Sequence, residues 1–185
     1  LHLRVPAWSK STVVTINGTA VNCAVVNGAV ALNREWKSGD KVAIAFEAEV
    51  AVSRWYDGGV AVERGPLLYA LKMNERWERH RFNSDKYRKM GKEYYEVHST
   101  TPWGFDRKAL AKENISNTFT FERVCPPSIY PWNVESAPLV IKAKVHEMTK
   151  WKPYNGSTGP INFQTRSGWG DDMAYEESVV ELIPY

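Results

Sequence analysis

Cysteine and histidine are scarce in this chain, and neither supports a site by spacing alone. Two cysteines, Cys23 and Cys125, occur in 185 residues. They form no Cys-x-x-Cys pair, which excludes a redox motif or a zinc knuckle built from them. One disulfide or two buried free thiols are the alternatives, and so few cysteines leave the redox compartment open. The four histidines, His2, His80, His98 and His146, contain no His-Glu-x-x-His and no other metal-ligand spacing, so no metal ligand is assigned. No apolar run approaches the roughly 20 residues that span a bilayer, so no membrane partner is expected. An excess of one charge is also missing. The 24 basic and 21 acidic residues leave a net charge of +3, too mild to indicate a nucleic-acid partner. No glycine-rich phosphate loop, no Gly-x-Gly-x-x-Gly and no Gly-x-Ser-x-Gly elbow is present, which removes the common nucleotide and serine-hydrolase signatures.

The chain does hold aromatic residues and β-strand patterns. It has eight Trp and nine Tyr, with an ordinary hydrophobic fraction of 43%. "STVVTING" is β-branched and ends in the turn pair Asn17-Gly18, and the following segment repeats the device with Asn27-Gly28. "KSGDKVAIAFEAEVAVSRW" has a Ser-Gly-Asp turn and then alternates, with Val42, Ile44 and Phe46 facing one way. Four or five short strands with a turn about every ten residues indicate antiparallel β structure. "RWYDGGVAVERGPLLYALK", from Arg54 to Lys72, places a strand on each side of an Arg-Gly-Pro corner. Pro66 cannot donate to a ladder, so the corner is expected to bend a strand away and hand the chain over to a second unit.

The character changes after Met73. "NERWERHRFNSDKYRKMGKE" carries seven Lys and Arg against four acids and shows no sustained period; it is expected to be a short helix or a solvated loop. Alternation returns in "EYYEVHST", "TFTFERV" and "APLVIKAKVHEM", where Leu139, Ile141, Ala143 and Val145 share a face, and "SVVELIPY" supplies a last strand. The fold class is therefore all-β: two antiparallel β-sandwich domains, the second inserted into the first. Residues 1–72 plus 176–185 form the first and residues 73–175 the second, with long aromatic loops. Strand-like ends at both termini suggest a fragment of a longer chain.

The acids Asp57, Glu63, Asp106, Asp171, Asp172 and Glu176 carry no context that marks a buried pair. Solvated residues are the simpler reading, although Asp171 and Asp172 in a Gly-rich loop could meet a hard cation such as Ca²⁺. Asn17, Asn114 and Asn155 fit the glycosylation pattern, and Asn17 and Asn155 are equally explained as turn residues before glycine. The only binding hint lies in loop aromatics beside Pro and Gly: Trp103, Tyr130, Trp132, Trp151 and Tyr154. Such rings could stack on sugar faces, or plug the ends of a sandwich and face a neighbouring domain.

"LRVPAW", the Val-x-Ile-Asn-Gly strand end, "REWKSGDKVAIAF" and "VAVERGPLLYAL" occur in an order that resembles glycoside hydrolase family 127, the β-L-arabinofuranosidase-like enzymes. "YYEVHSTTPWGF", "APLVIKAKV", "WKPYNGSTGP" and "VELIPY" are similar to the same family's C-terminal region. The resemblance implies an upstream (α/α)6 barrel with a zinc-bound cysteine nucleophile, which places any zinc in that missing catalytic domain. Neither Cys23 nor Cys125 has the neighbouring Cys and Glu of such a site, so no catalytic residue and no cofactor carry over. The implied function is a non-catalytic accessory β-sandwich region of a bacterial glycoside hydrolase, inactive alone. Its partner would be the catalytic domain of the same chain, with a plant-type oligosaccharide as further ligand. A carbohydrate-binding module using the loop aromatics is the alternative. A periplasmic or extracellular destination fits the resemblance, and the sequence leaves the compartment open.

Overall fold

The computed structural model describes residues 1–56, 59–82, 91–105, 115–148 and 175–185. The first six strands are β1 (His2–Arg4), β2 (Thr12–Ile16), β3 (Thr19–Val21), β4 (Val25–Val26), β5 (Ala29–Ala31) and β6 (Val42–Phe46). They form two three-stranded antiparallel sheets, β1-β5-β4 and β3-β2-β6. Both Asn-Gly pairs make their turns. Asn17 and Gly18 have φ of 51° and 82°, and Asn27 and Gly28 have 50° and 72°. Two successive positive φ values are what a two-residue hairpin demands, and Asn and Gly tolerate them best. Alternation does the rest. Val14, Ile16, Val30 and Leu32 are buried, and with Leu3, Val21, Val42 and Ile44 they build one apolar cluster shared by the two sheets.

The chain then forms β7 (Val50–Arg54), β8 (Val60–Arg64), β9 (Leu67–Leu71), β10 (Glu75–Arg81), β11 (Glu93–Ser99), a single helical turn α1 (Ile115–Thr118), β12 (Phe119–Arg123), β13 (Leu139–Met148) and β14 (Tyr175–Pro184). Six of these strands form one antiparallel sheet in the order β12-β13-β14-β9-β8-β7. Strands from both sides of residue 72 thus share this sheet. As its alternation predicts, β13 puts Ile141, Ala143 and Val145 into the core, with Leu139 partly buried beside them. Val140, on the other face, packs with Ala137 and Ile183.

This sheet is rolled. Four strand spacings separate β12 from β8, about 19 Å if the sheet were flat. Yet the Arg64 guanidinium carbon lies 3.6 Å from the centre of the Phe121 ring. Val50 and Val52 of one edge also join Phe119 and Phe121 of the other edge in a common cluster. The curl gives the sheet an apolar interior of its own.

Two expectations are corrected. Gly65-Pro66 does not lead a strand out of its ladder. It closes a hairpin in which Arg64 pairs with Leu67 and Val62 with Tyr69. Gly65 has φ of 61°, and glycine fits the first place of such a turn. Pro66 then sits where no ladder N–H is required. The segment after Met73 is not a helix or a plain loop. Its described ends, β10 and β11, pair with each other from Glu75↔Ser99 to Arg81↔Glu93. The strand period is hidden because both faces are polar. Glu75, Arg79 and Arg81 lie on one face with Trp77, and Arg76, Glu78 and His80 on the other. Among the described residues no helix is long and apolar enough to cross a membrane.

Candidate functional site

The charges around the Arg-Gly-Pro corner serve the sheet. Glu63 accepts a hydrogen bond from the Ser53 hydroxyl on the neighbouring strand, and Trp55 Nε1 donates to the same hydroxyl oxygen at 3.0 Å. Arg64 covers Phe121, a cation–π contact at the mouth of the rolled sheet. Asp57 lies outside the described residues, as do Asp106, Asp171 and Asp172. Glu176 is exposed on β14.

The loop aromatics fall at two ends of the sheet. Tyr130 and Trp132 occupy the β12–β13 connection and are 77% and 60% exposed. Asn133 and Ser136 shape this loop. Ser136 N–H donates to Asn133 Oδ1 at 2.7 Å, Ser136 Oγ donates to the Tyr130 carbonyl at 2.6 Å, and Ala137 N–H donates to the Asn133 carbonyl at 3.1 Å. Trp103 is half-buried beside Gly104, whose carbonyl accepts from Met148 N–H at 3.0 Å. Met148 ends β13 and Leu139 begins it, so β13 separates the two sets by about 30 Å along the strand. Trp103 therefore stands apart from Tyr130 and Trp132. Trp151 and Tyr154 lie outside the described residues.

Both cysteines are free and half-buried. Cys23 packs in the cluster of the first two sheets, and its thiol points to the Val21 carbonyl at 3.6 Å. Cys125 lies against the Ser136 and Ala137 carbonyls in the β12–β13 connection. They sit in different units, and no disulfide joins them. Cys23 also borders an open groove lined by Ile16, Val21, Val26 and Leu32, with Asn33 and Arg34 beside them. No carboxylate lines this groove, so it lacks the acid pair that most glycoside hydrolases use.

Tyr69 and Asp40 depart from their usual range for local reasons. Burial pushes the Tyr69 phenol up, and its hydroxyl is buried without a hydrogen-bond partner. The Lys37 N–H and the Asn17 side-chain amide hold the Asp40 carboxyl down, with Arg34 adding to the effect. Asn17 also accepts from the Lys41 N–H at 2.9 Å, so its side chain ties two turns together. That role fits the turn reading of Asn17; Asn114 and Asn155 lie outside the described residues.

The pairing of β10 with β11 gathers residues that linear spacing keeps apart. Glu78 is opposite Glu96, and His80 and His98 flank that pair on the same face. Ligand atoms of Glu78, Glu96 and His98 all lie within 4.8 Å of one another. The signal in the sequence is a Glu-x-His repeated in the two strands, at Glu78–His80 and Glu96–His98. It becomes visible only through the register of the hairpin.

Residues 1–48 match the family model of the beta-L-arabinofuranosidase GH127 middle domain. No curated protein matches the chain significantly. Among solved structures the chain is similar to a GH127 beta-L-arabinofuranosidase from Geobacillus stearothermophilus T6, at 19% identity and a TM-score of 0.48, over 100% of this chain and 23% of that one. A protein described as a glycoside hydrolase matches at 18% identity and a TM-score of 0.49, over 100% of this chain and 24% of its own. A GH127 beta-arabinofuranosidase matches at 15% and 0.44, over 100% of this chain and 22% of its own. The chain thus spans less than a quarter of the length of these structures.

Proposed function

We propose that this chain, whose first 48 residues carry the GH127 middle-domain pattern, is a non-catalytic accessory region of a β-L-arabinofuranosidase-like glycoside hydrolase. Its task is to brace a catalytic domain that lies outside these 185 residues. The family match of residues 1–48 carries the reading. The chemistry of the described residues supports it. Most glycoside hydrolases use two carboxylates flanking a bound sugar, and the family resembled uses a zinc-bound cysteine instead; among the described residues neither cysteine stands in a group of potential metal ligands. The close pair Glu78 and Glu96 instead stands on a hairpin face beside two imidazoles, with Glu96 about half-exposed. Glu63 is occupied by Ser53.

The surface supports a bracing role as well. Trp55 and Tyr56 in the β7–β8 turn and Ile129, Tyr130 and Trp132 in the β12–β13 connection are largely in solvent. Large apolar side chains left this open suit faces that another domain covers. The test is an assay of the purified chain against aryl arabinofuranosides and other aryl glycosides. No turnover above buffer is expected, and turnover that survives purification would overturn the reading.

A further inference from the structure

We infer that the β10–β11 hairpin carries a binding site for a divalent transition metal of the zinc class, formed by His80, His98, Glu78 and Glu96. Each strand contributes one Glu-x-His, and residues two apart on a strand share a face. Because the strands run antiparallel with Glu78 opposite Glu96, the two motifs are related by a local two-fold. The carboxylates meet at its centre, and one imidazole lies on either side.

The spacing suits a tetrahedral ion. His80 Nε2 lies 3.4 Å from Glu96 Oε2 and 3.7 Å from Glu78 Oε2. His98 Nε2 lies 3.6 Å from Glu96 Oε2 and 3.9 Å from Glu78 Oε2. Four ligands held about 2.0–2.2 Å from a tetrahedral zinc stand roughly 3.3–3.6 Å from one another. The four histidine–carboxylate separations are therefore near those an ion would set; Glu78, Glu96 and His98 already stand within 4.8 Å of one another, and His80 completes the shell by moving toward that group. Two imidazoles with two carboxylates suit zinc and its neighbours, whereas calcium and magnesium favour all-oxygen sites. Four protein ligands would close the shell, as in structural zinc sites.

Three further observations point inward. His80 Nε2 is shut off from solvent and has no hydrogen-bond partner. Its ring is held against Tyr94, with centroids 5.1 Å apart and planes 17° from parallel, and Phe82 packs on the same Tyr94. The Arg76 guanidinium binds Glu78 through Oε1, leaving Oε2 as the atom turned to both histidines. Arg76 thus acts as an outer partner that orients a ligand without occupying its metal-facing oxygen. The two directly opposed carboxylates would repel each other, and a cation between them removes that cost. The hairpin is a two-stranded sheet, the kind that is marginal in water without additional support, so a metal clip has a structural use there.

The experiment is calorimetric titration of the tag-free, metal-stripped full chain with Zn²⁺, with Ca²⁺ as comparison and Co²⁺ absorption as a reporter of tetrahedral coordination. One zinc per chain is expected, with Ca²⁺ silent. His80→Ala and His98→Ala should each weaken zinc binding by about tenfold or more. Cys23→Ser should leave it unchanged. Glu96→Gln is the isosteric variant, and circular dichroism checks that each protein is folded. Absence of zinc uptake by the folded wild-type chain overturns the site, and so does equal uptake by the wild type and both histidine variants. The site stands apart from the accessory role, and either result leaves the turnover assay to decide that role.

Discussion

Single residues in this protein are explained by the backbone they permit and the partners they lack. Gly65 is required twice over. Its φ of 61° disfavours any L side chain, and a Cβ would sit 3.3 Å from the Ala48 Cβ, with the Trp8 ring 3.7 Å away. Gly65→Ala should therefore lower stability by about 1–3 kcal/mol, read by urea denaturation. Tyr69 shows the opposite case. Its buried hydroxyl has no partner, and leaving such a group unsatisfied costs on the order of 1–3 kcal/mol. Tyr69→Phe should keep or raise the melting temperature. The raised phenol pKa means that the unfolded chain ionises first as pH climbs past the ordinary tyrosine value. Stability from this residue is complete below that value and is lost above it. The phenylalanine variant should lose this alkaline limb, visible as a shallower fall in melting temperature above pH 10.

At the scale of elements, legibility followed burial. β2 buries Val14 and Ile16, and β13 buries Ile141, Ala143 and Val145 on one face; the alternation of residue types along each strand makes that face legible in the sequence. Ile141 shows what alternation delivers. It has no exposed surface, and Ile141→Ala should cost about 2–5 kcal/mol by denaturant unfolding. The Asn-Gly turns were equally legible, because few other pairs accept two positive φ values. The β10 strand was hidden because charged residues occupy both of its faces, so no period of two separates inside from outside. The cluster on that hairpin was hidden for a related reason. His80 and His98 are far apart in sequence and meet only through a register that the chain between them does not announce. The corner at Gly65-Pro66 is legible in the sequence, but the missing N–H of Pro66 reads there as a departure from the sheet. In a two-residue hairpin that N–H has no ladder duty, and the strands on both sides remain paired.

At the scale of the molecule, the all-β class was legible, whereas the β10–β11 pairing and the rolling of the six-stranded sheet were not. Strand periodicity reports which face is buried and is silent on what buries it. Here one edge of the sheet meets the other, through Phe119 and Phe121 on β12 and Val50 and Val52 on β7. Among the described loop aromatics, Tyr130 and Trp132 lie toward one end of β13 and Trp103 toward the other, a separation the sequence could not show. Function at this scale rests on the middle-domain pattern of residues 1–48 and on the arrangement of the described carboxylates. The most direct test of the accessory role is the turnover of aryl arabinofuranosides by the purified 185-residue chain. The account predicts a rate indistinguishable from buffer. Hydrolysis that co-purifies with the chain through successive columns would contradict it.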